Sequence, residues 1–418
     1  MSDVRFLPTM IVLGAAVAWV ISTCALLAFV YRRALANAWS EPVLRAPVLI
    51  LESDDWGYGP VVQEQRLDQI VELLARFRDS RGSHPVMTLG VILAGPDTER
   101  IRADGCRTYH RVTLADPRLT PVRDAMVRGV ARGVFALQLH GLEHYWPACL
   151  MHAASADEKL RDWLTRGAFP CTEALPSPLQ SRWIDASTLP SRPLPIDEVR
   201  AAATEEIAAF TEAFDADPEV VVPSTFVWTD AVESAWAEAG ARIVVTPGLR
   251  NEGRDADGRV VAGEHTYFNA ATGPDGVLYV VRDCYFEPSF GHTHQSAIQA
   301  LQRNTCVGRP TLLEIHRVNF IGEERPTQHT FEEVTRLLDA ACTQFPDIHF
   351  MSTGQLAQHY RDRSDLVETR IGTRVHFLLR RLANISRLRK LAWATCIILP
   401  AWLAYRVTRP AGFHGSHS

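Results

Sequence analysis

The chain has 418 residues, 47% of them hydrophobic and 22% charged, enough to bury one large core or two ordinary ones. Its formal charge of -5 is small for that length and leaves no basic stripe of the nucleic-acid-binding kind, so no nucleic acid is expected as a partner. The only two lysines, Lys159 and Lys390, lie outside any glycine-rich loop, and no dinucleotide fingerprint follows a strand, which excludes P-loop phosphoryl transfer and gives hydride chemistry no support.

Residues 1–45 read as an anchor and linker, because Ile11 to Tyr31 is uncharged and long enough to cross a bilayer. Arg32 and Arg33 follow it, without a small-residue cleavage pattern, which points to a retained tether. From 46 to 364, short apolar runs alternate with amphipathic stretches. The expected strands are Pro47 to Glu52, Val86 to Leu93, Val134 to Leu139, Val220 to Pro223, Arg242 to Thr246, Val277 to Arg282, Thr311 to Ile315 and Ile348 to Met351. Helical patterns at Gln63 to Phe77, Val122 to Ala131, Asp197 to Phe214, Ala231 to Ala239 and Phe331 to Phe345 lie between many of them. Such alternation predicts a parallel sheet, and about eight units in one domain predict a β/α barrel with its site at the C-terminal ends of the strands.

Between about 145 and 195 the alternation stops in a Pro-rich insertion with Trp146, Trp163 and Trp183, either a wall beside the site or a surface excursion whose aromatics pack locally. Residues 365–390 include Ile371 to Lys390, whose apolar and arginine-rich faces suit an amphipathic helix on an anionic membrane. Residues 391–418 begin with a second apolar segment, Leu391 to Tyr405, short for a span and containing Pro400, so it either crosses a thinned bilayer or is re-entrant. Basic flanks on the barrel side of both segments place the barrel in the cytoplasm by the positive-inside rule, at a bacterial inner membrane, although Arg5, Arg406 and Arg409 reduce the asymmetry.

Three strand ends carry groups able to do chemistry. The first is Ser53-Asp54-Asp55-Trp56-Gly57, where two carboxylates at the end of a buried strand demand a cation or hydrogen bonds. The second is His140-Gly141-Leu142-Glu143-His144, whose imidazoles, four residues apart, face one way if the segment makes a helical turn. The third is Leu313-Glu314-Ile315-His316. Any one of them is ordinary in a chain with 15 histidines; three, each at the mouth of an expected strand, are not.

On these three motifs the chain resembles the polysaccharide deacetylase family, the NodB-type carbohydrate esterases, over roughly Pro47 to Tyr360. The resemblance implies a distorted β/α barrel and metal-dependent hydrolysis of an N- or O-acyl group on a sugar, from a glycan or lipid-linked saccharide. It implies a divalent metal, zinc above all, held by Asp55, His140 and His144, with Asp54 as general base and His316 as general acid. One departure stands out: the strand Val221-Val222-Pro223-Ser224-Thr225-Phe226-Val227-Trp228 lacks the family's arginine that steadies the base, so Arg282 or Arg317 would have to come from another strand. Asp283 is the expected partner of His316, and Trp56, Tyr58, Trp146 and Trp228 are the expected faces for sugar rings, while His292 and His294 are read as structural. Two other functions fit the same residues: a metal-independent glycoside hydrolase using Asp54 and Asp283, and a non-catalytic glycan-binding membrane subunit.

Overall fold

The computed structural model describes residues 6–273 and 275–409. Arg5 and the tail from 410 onward lie outside them. Two compact units are present, a large one of residues 46–302 and 310–364 and a small one of residues 1–45, 303–309 and 365–418.

The large unit is the expected distorted barrel. Its strands are β1 (Val48–Gly57), β2 (Met87–Ile92), β3 (Phe135–Gly141), β4 (Val220–Val221), β5 (Ile243–Thr246), β6 (Leu278–Val281), β7 (Cys284–Tyr285), β8 (Thr311–His316) and β9 (His349–Phe350). They form one sheet in the order β6-β5-β4-β3-β2-β1-β8-β7, with β9 also on β1. Every pair is parallel. Helices cover the sheet, so β1 is buried along its whole length and its sequence shows no in-out alternation.

Two features of the sheet position the site. In β1, Ser53 is level with Leu89 but Trp56 with Val91, so β1 carries one extra residue in a bulge, and Asp55 takes a φ of 73°. Consecutive strand side chains normally point to opposite faces, and this bulge is what lets Asp54 and Asp55 serve one site. A second bulge falls on β3, where Val91 faces Leu139 and Ile92 faces Gly141, skipping His140.

The insertion builds its own small core from Tyr145, Leu150, Leu160, Leu164 and Leu175 with Ile101, against which Trp146 and Trp163 pack. The locally packed alternative therefore describes it. It also sends Glu173 to grip the Arg317 guanidinium at 2.7 and 3.0 Å.

In the small unit, the stretch Met10–Val30 of the helix Phe6–Val30 is long and apolar enough to cross a membrane, the one such helix among the described residues. The C-terminal part differs from the long amphipathic helix and apolar segment expected. It forms helices Ile371–Ala383, Ser386–Ala394 and Ile398–Val407, the last two separated by Cys396 at φ 61°. A helix of that length rises roughly 15 Å, half a hydrocarbon core. Two of the arginines assigned to a membrane-facing surface turn inward instead. Arg381 donates to the carbonyls of Ala38, Glu41, Pro42, Val307 and Gly308, and Arg380 to the Tyr405 hydroxyl and the Cys306 carbonyl. Backbone carbonyls at chain turns offer them acceptors. Arg387, Arg389 and Lys390 stay exposed.

Candidate active site

The structure brings Asp55, His140 and His144 together, all three buried. One carboxylate oxygen of Asp55 stands 3.5 Å from Nε2 of both imidazoles. That oxygen has no hydrogen-bond partner, nor does the buried Nδ1 of His144. Buried polar atoms are rarely left so, because each costs about 1–3 kcal/mol unpaired. Ligand atoms about 2.1 Å from a tetrahedral ion stand roughly 3.4 Å apart, so the spacing and the orphaned oxygen fit a divalent cation with nitrogen and oxygen ligands. His140 is oriented by its other nitrogen, 2.8 Å from the carbonyl oxygen of Val222.

His144 reaches the trio by a loop rather than by the helical turn expected. Gly141, at φ 124°, ends the strand, and a Cβ there would press on the Glu143 carbonyl. The loop is pinned beneath by Glu143, fully buried, whose oxygens accept from Arg111 at 2.5 Å and Arg182 at 2.7 Å. Arg182 also donates to Glu206 at 3.0 Å, and Glu206 accepts from the Leu142 backbone and the Trp236 indole.

Asp54 accepts from Arg282 at 2.7 Å. The same guanidinium lies 3.2 Å from Glu52 and 3.2 Å from Glu314, both buried. Asp54, Glu314 and His316 also lie close enough to share an ion, but Arg282 bridges the two carboxylates and is the cation between them. An arginine thus reaches Asp54 from the residue after β6. Arg317, the other candidate, is spent on the Tyr58 carbonyl and Glu173. Gly90 on β2 leaves the space that Asp54 fills; a Cβ there would meet the Asp54 carboxylate oxygen.

His316 is held by Glu287, whose Oε1 lies 2.5 Å from Nδ1 and 3.2 Å from the His316 amide nitrogen. Asn319 donates to the other Glu287 oxygen. This corrects the assignment of Asp283, which is exposed and bonded only to the thiol of Cys284. The His316 side chain is 33% exposed, open to a bound molecule.

The electrostatics follow from burial set against neighbours. Burial raises the Asp55 carboxyl, but the imidazoles of His140, His144 and His316 outweigh it and hold it well below the usual carboxylate range. Asp54 is likewise lowered, Arg282 overcoming burial. Burial, with the charges of His140 and His316, brings His144 down to about 4, the neutral form a metal ligand needs. His316 goes the other way: burial opposes its charge, but Glu287, Asp55 and Asp54 push it up to about 10. Burial lifts Glu52 to about 7 against the pull of Arg282.

The aromatic assignments fare differently. Trp56, Tyr58 and Trp228 have no exposed surface and bond internally, Trp56 to Ser53, Tyr58 to the Pro96 carbonyl and Trp228 to Glu233. They are core, packed on Phe320, Phe169 and Tyr267 respectively. Trp146 is half-buried, with Arg182 above its ring. Of the groups that line the site, sequence reasoning missed Glu52, Glu287 and Glu314. Glu314 had a signal, a lone carboxylate inside an otherwise apolar strand, and Glu52 had another, a carboxylate closing the apolar run just before Asp54 and Asp55; Glu287 had none.

No family model matches the chain, and no curated protein sequence matches it. Among solved structures it is similar to the 4-alpha-glucanotransferase of Thermococcus litoralis, at 11% identity and a TM-score of 0.40 over 79% of this chain and 42% of that one. It is also similar to a putative polysaccharide deacetylase from Mycobacterium smegmatis, at 13% identity and a TM-score of 0.36 over 79% of this chain and 99% of that one. A family 4 carbohydrate esterase from Streptomyces lividans in complex with acetate shows 11% identity and a TM-score of 0.33, over 73% of this chain and 92% of that one. Similarity at this level assigns no activity to the chain.

Proposed function

We propose that the chain is a metal-dependent carbohydrate deacylase that removes an N- or O-acetyl group from an amino-sugar glycan or a lipid-linked saccharide. The N-terminal apolar helix tethers it to a membrane. The observation that carries the reading is the buried trio of Asp55, His140 and His144, with an arginine-braced carboxylate, Asp54, and a carboxylate-braced imidazole, His316, beside it.

One carboxylate and two imidazoles leave coordination positions open, as catalytic sites do and closed structural sites do not. A divalent cation on this set, zinc by the nature of the ligands, supplies polarisation of the acyl carbonyl and acidifies water. Asp54 takes a proton from the attacking water. Arg282 keeps Asp54 ionised and aimed. His316, protonated at neutral pH, gives a proton to the departing sugar nitrogen or oxygen as the bond to the acyl carbon breaks. Its Nδ1 is occupied by Glu287, so Nε2 is the donating atom. The products are a free sugar amine or hydroxyl and a carboxylate.

Acetate release by the full chain from acetylated amino-sugar oligosaccharides tests this. Chelation is expected to abolish release, zinc to restore it, and Asp55→Ala to be inactive at any metal concentration. An Asp55→Ala protein with full metal-dependent activity rejects the assignment.

A further inference from the structure

The small unit holds an apolar groove of about 960 Å³ that the reaction does not use. One wall is the end of the N-terminal helix, from Cys24 through Leu27 to Tyr31. Leu382, Leu388 and Trp402 of the C-terminal helices form the others. Trp393, also in the groove, is 66% exposed, and Trp402 is 53% exposed. Large apolar side chains open in this way mark a surface that something covers.

Three observations say what covers it. The groove begins at Cys24, six residues before the helix ends at Val30, so at 1.5 Å per residue it reaches about 10 Å below that end of the apolar span, the depth of the first part of a lipid tail. Its lining includes one exposed cation, Arg389, on the helix that also presents Arg387 and Lys390. Its tryptophans suit the boundary between headgroups and hydrocarbon. An apolar trough with a cationic mouth matches an amphiphile with an anionic head. A second copy of the chain fits poorly, because it would bring like charges together at the mouth.

We infer that this groove binds one anionic membrane phospholipid, the tail lying along Leu27, Leu382 and Trp393 and the phosphate on Arg389. The inference rests on the membrane attachment proposed above and is independent of the deacylase chemistry.

Native mass spectrometry of the full chain in detergent, after incubation with phosphatidylglycerol or with phosphatidylcholine of the same acyl chains, tests it. One phosphatidylglycerol per chain is expected, retained at least tenfold better than phosphatidylcholine. Ala383→Trp, which fills the groove, should remove the bound lipid, and Leu27→Trp does the same from the opposite wall should the first variant fail to fold. Arg389→Gln should bring phosphatidylglycerol down to the phosphatidylcholine level. Equal retention of both lipids, retention unchanged by groove filling, or a dimer in place of the lipid adduct overturns the inference. Alkaline carbonate extraction separates the two readings. A chain washed off membranes refutes the tether, whereas a chain that stays on them without lipid preference refutes the groove alone.

Discussion

Arg282 stands where three buried carboxylates meet, Glu52, Asp54 and Glu314, and its planar fork reaches all three. Lysine cannot, being a point charge with one direction of approach. Arg282→Lys is therefore expected to lower kcat/KM about 100-fold, the scale of losing an oriented general base, with bound metal unchanged. Unchanged kcat/KM would remove Arg282 from the machinery. Glu287 offers a second test through pH. His316 is pushed up to about 10, so it carries its proton at neutral pH and loses it as pH rises through that value. Removing the Glu287 charge lowers this pKa, so in Glu287→Gln the alkaline limb of the kcat/KM profile should move to lower pH. A limb that stays in place, or moves up, contradicts the assignment of His316 as the acid.

At the scale of elements, the site is a product of register. The bulge at Asp54 and Asp55 is a relation between β1 and β2, whose residues are far apart in sequence, so no local pattern announces it. Gly90 is its visible trace: Gly90→Ala should keep the fold and the bound metal but displace Asp54, cutting kcat/KM without altering metal content. Equal loss of metal and activity would mean that the strand itself had moved. Below the histidine loop, Arg182→Met would leave buried Glu206 without its cation and Glu143 with Arg111 alone, at a cost of about 3–5 kcal/mol. Its denaturation midpoint should fall accordingly; an unchanged midpoint would show that the pair does not hold the loop.

The same scale explains what was legible in the sequence. The barrel was, because apolar runs and amphipathic stretches alternate along most of the chain; so were the three strand mouths, because charged and imidazole groups end those runs. The burial of Trp56, Tyr58 and Trp228 was not: a strand covered on both faces has no alternation to say which side Trp56 takes, and Tyr58 and Trp228 lie in irregular segments that pack on residues distant in sequence. Glu287 was not, because it follows its strand in an irregular turn and meets His316 only through β7 and β8 pairing.

For the whole molecule, a large barrel and, among the described residues, one helix long and apolar enough to cross a membrane support the proposed reading of a tethered enzyme. Arg32 and Arg33 after the helix favour the proposal that the barrel faces the cytoplasm; on it, protease added outside intact cells should leave the barrel whole until the membrane is opened. Digestion of the barrel in intact cells reverses the orientation. In the proposed function, three side chains from β1, β3 and the loop after β3 grip one ion. Elemental analysis of the purified full chain tests it most directly. One zinc-like divalent ion per chain is expected, lost in His140→Ala and in Asp55→Ala while circular dichroism stays unchanged. A metal-free wild-type chain after incubation with zinc, or full metal content in both variants, contradicts it.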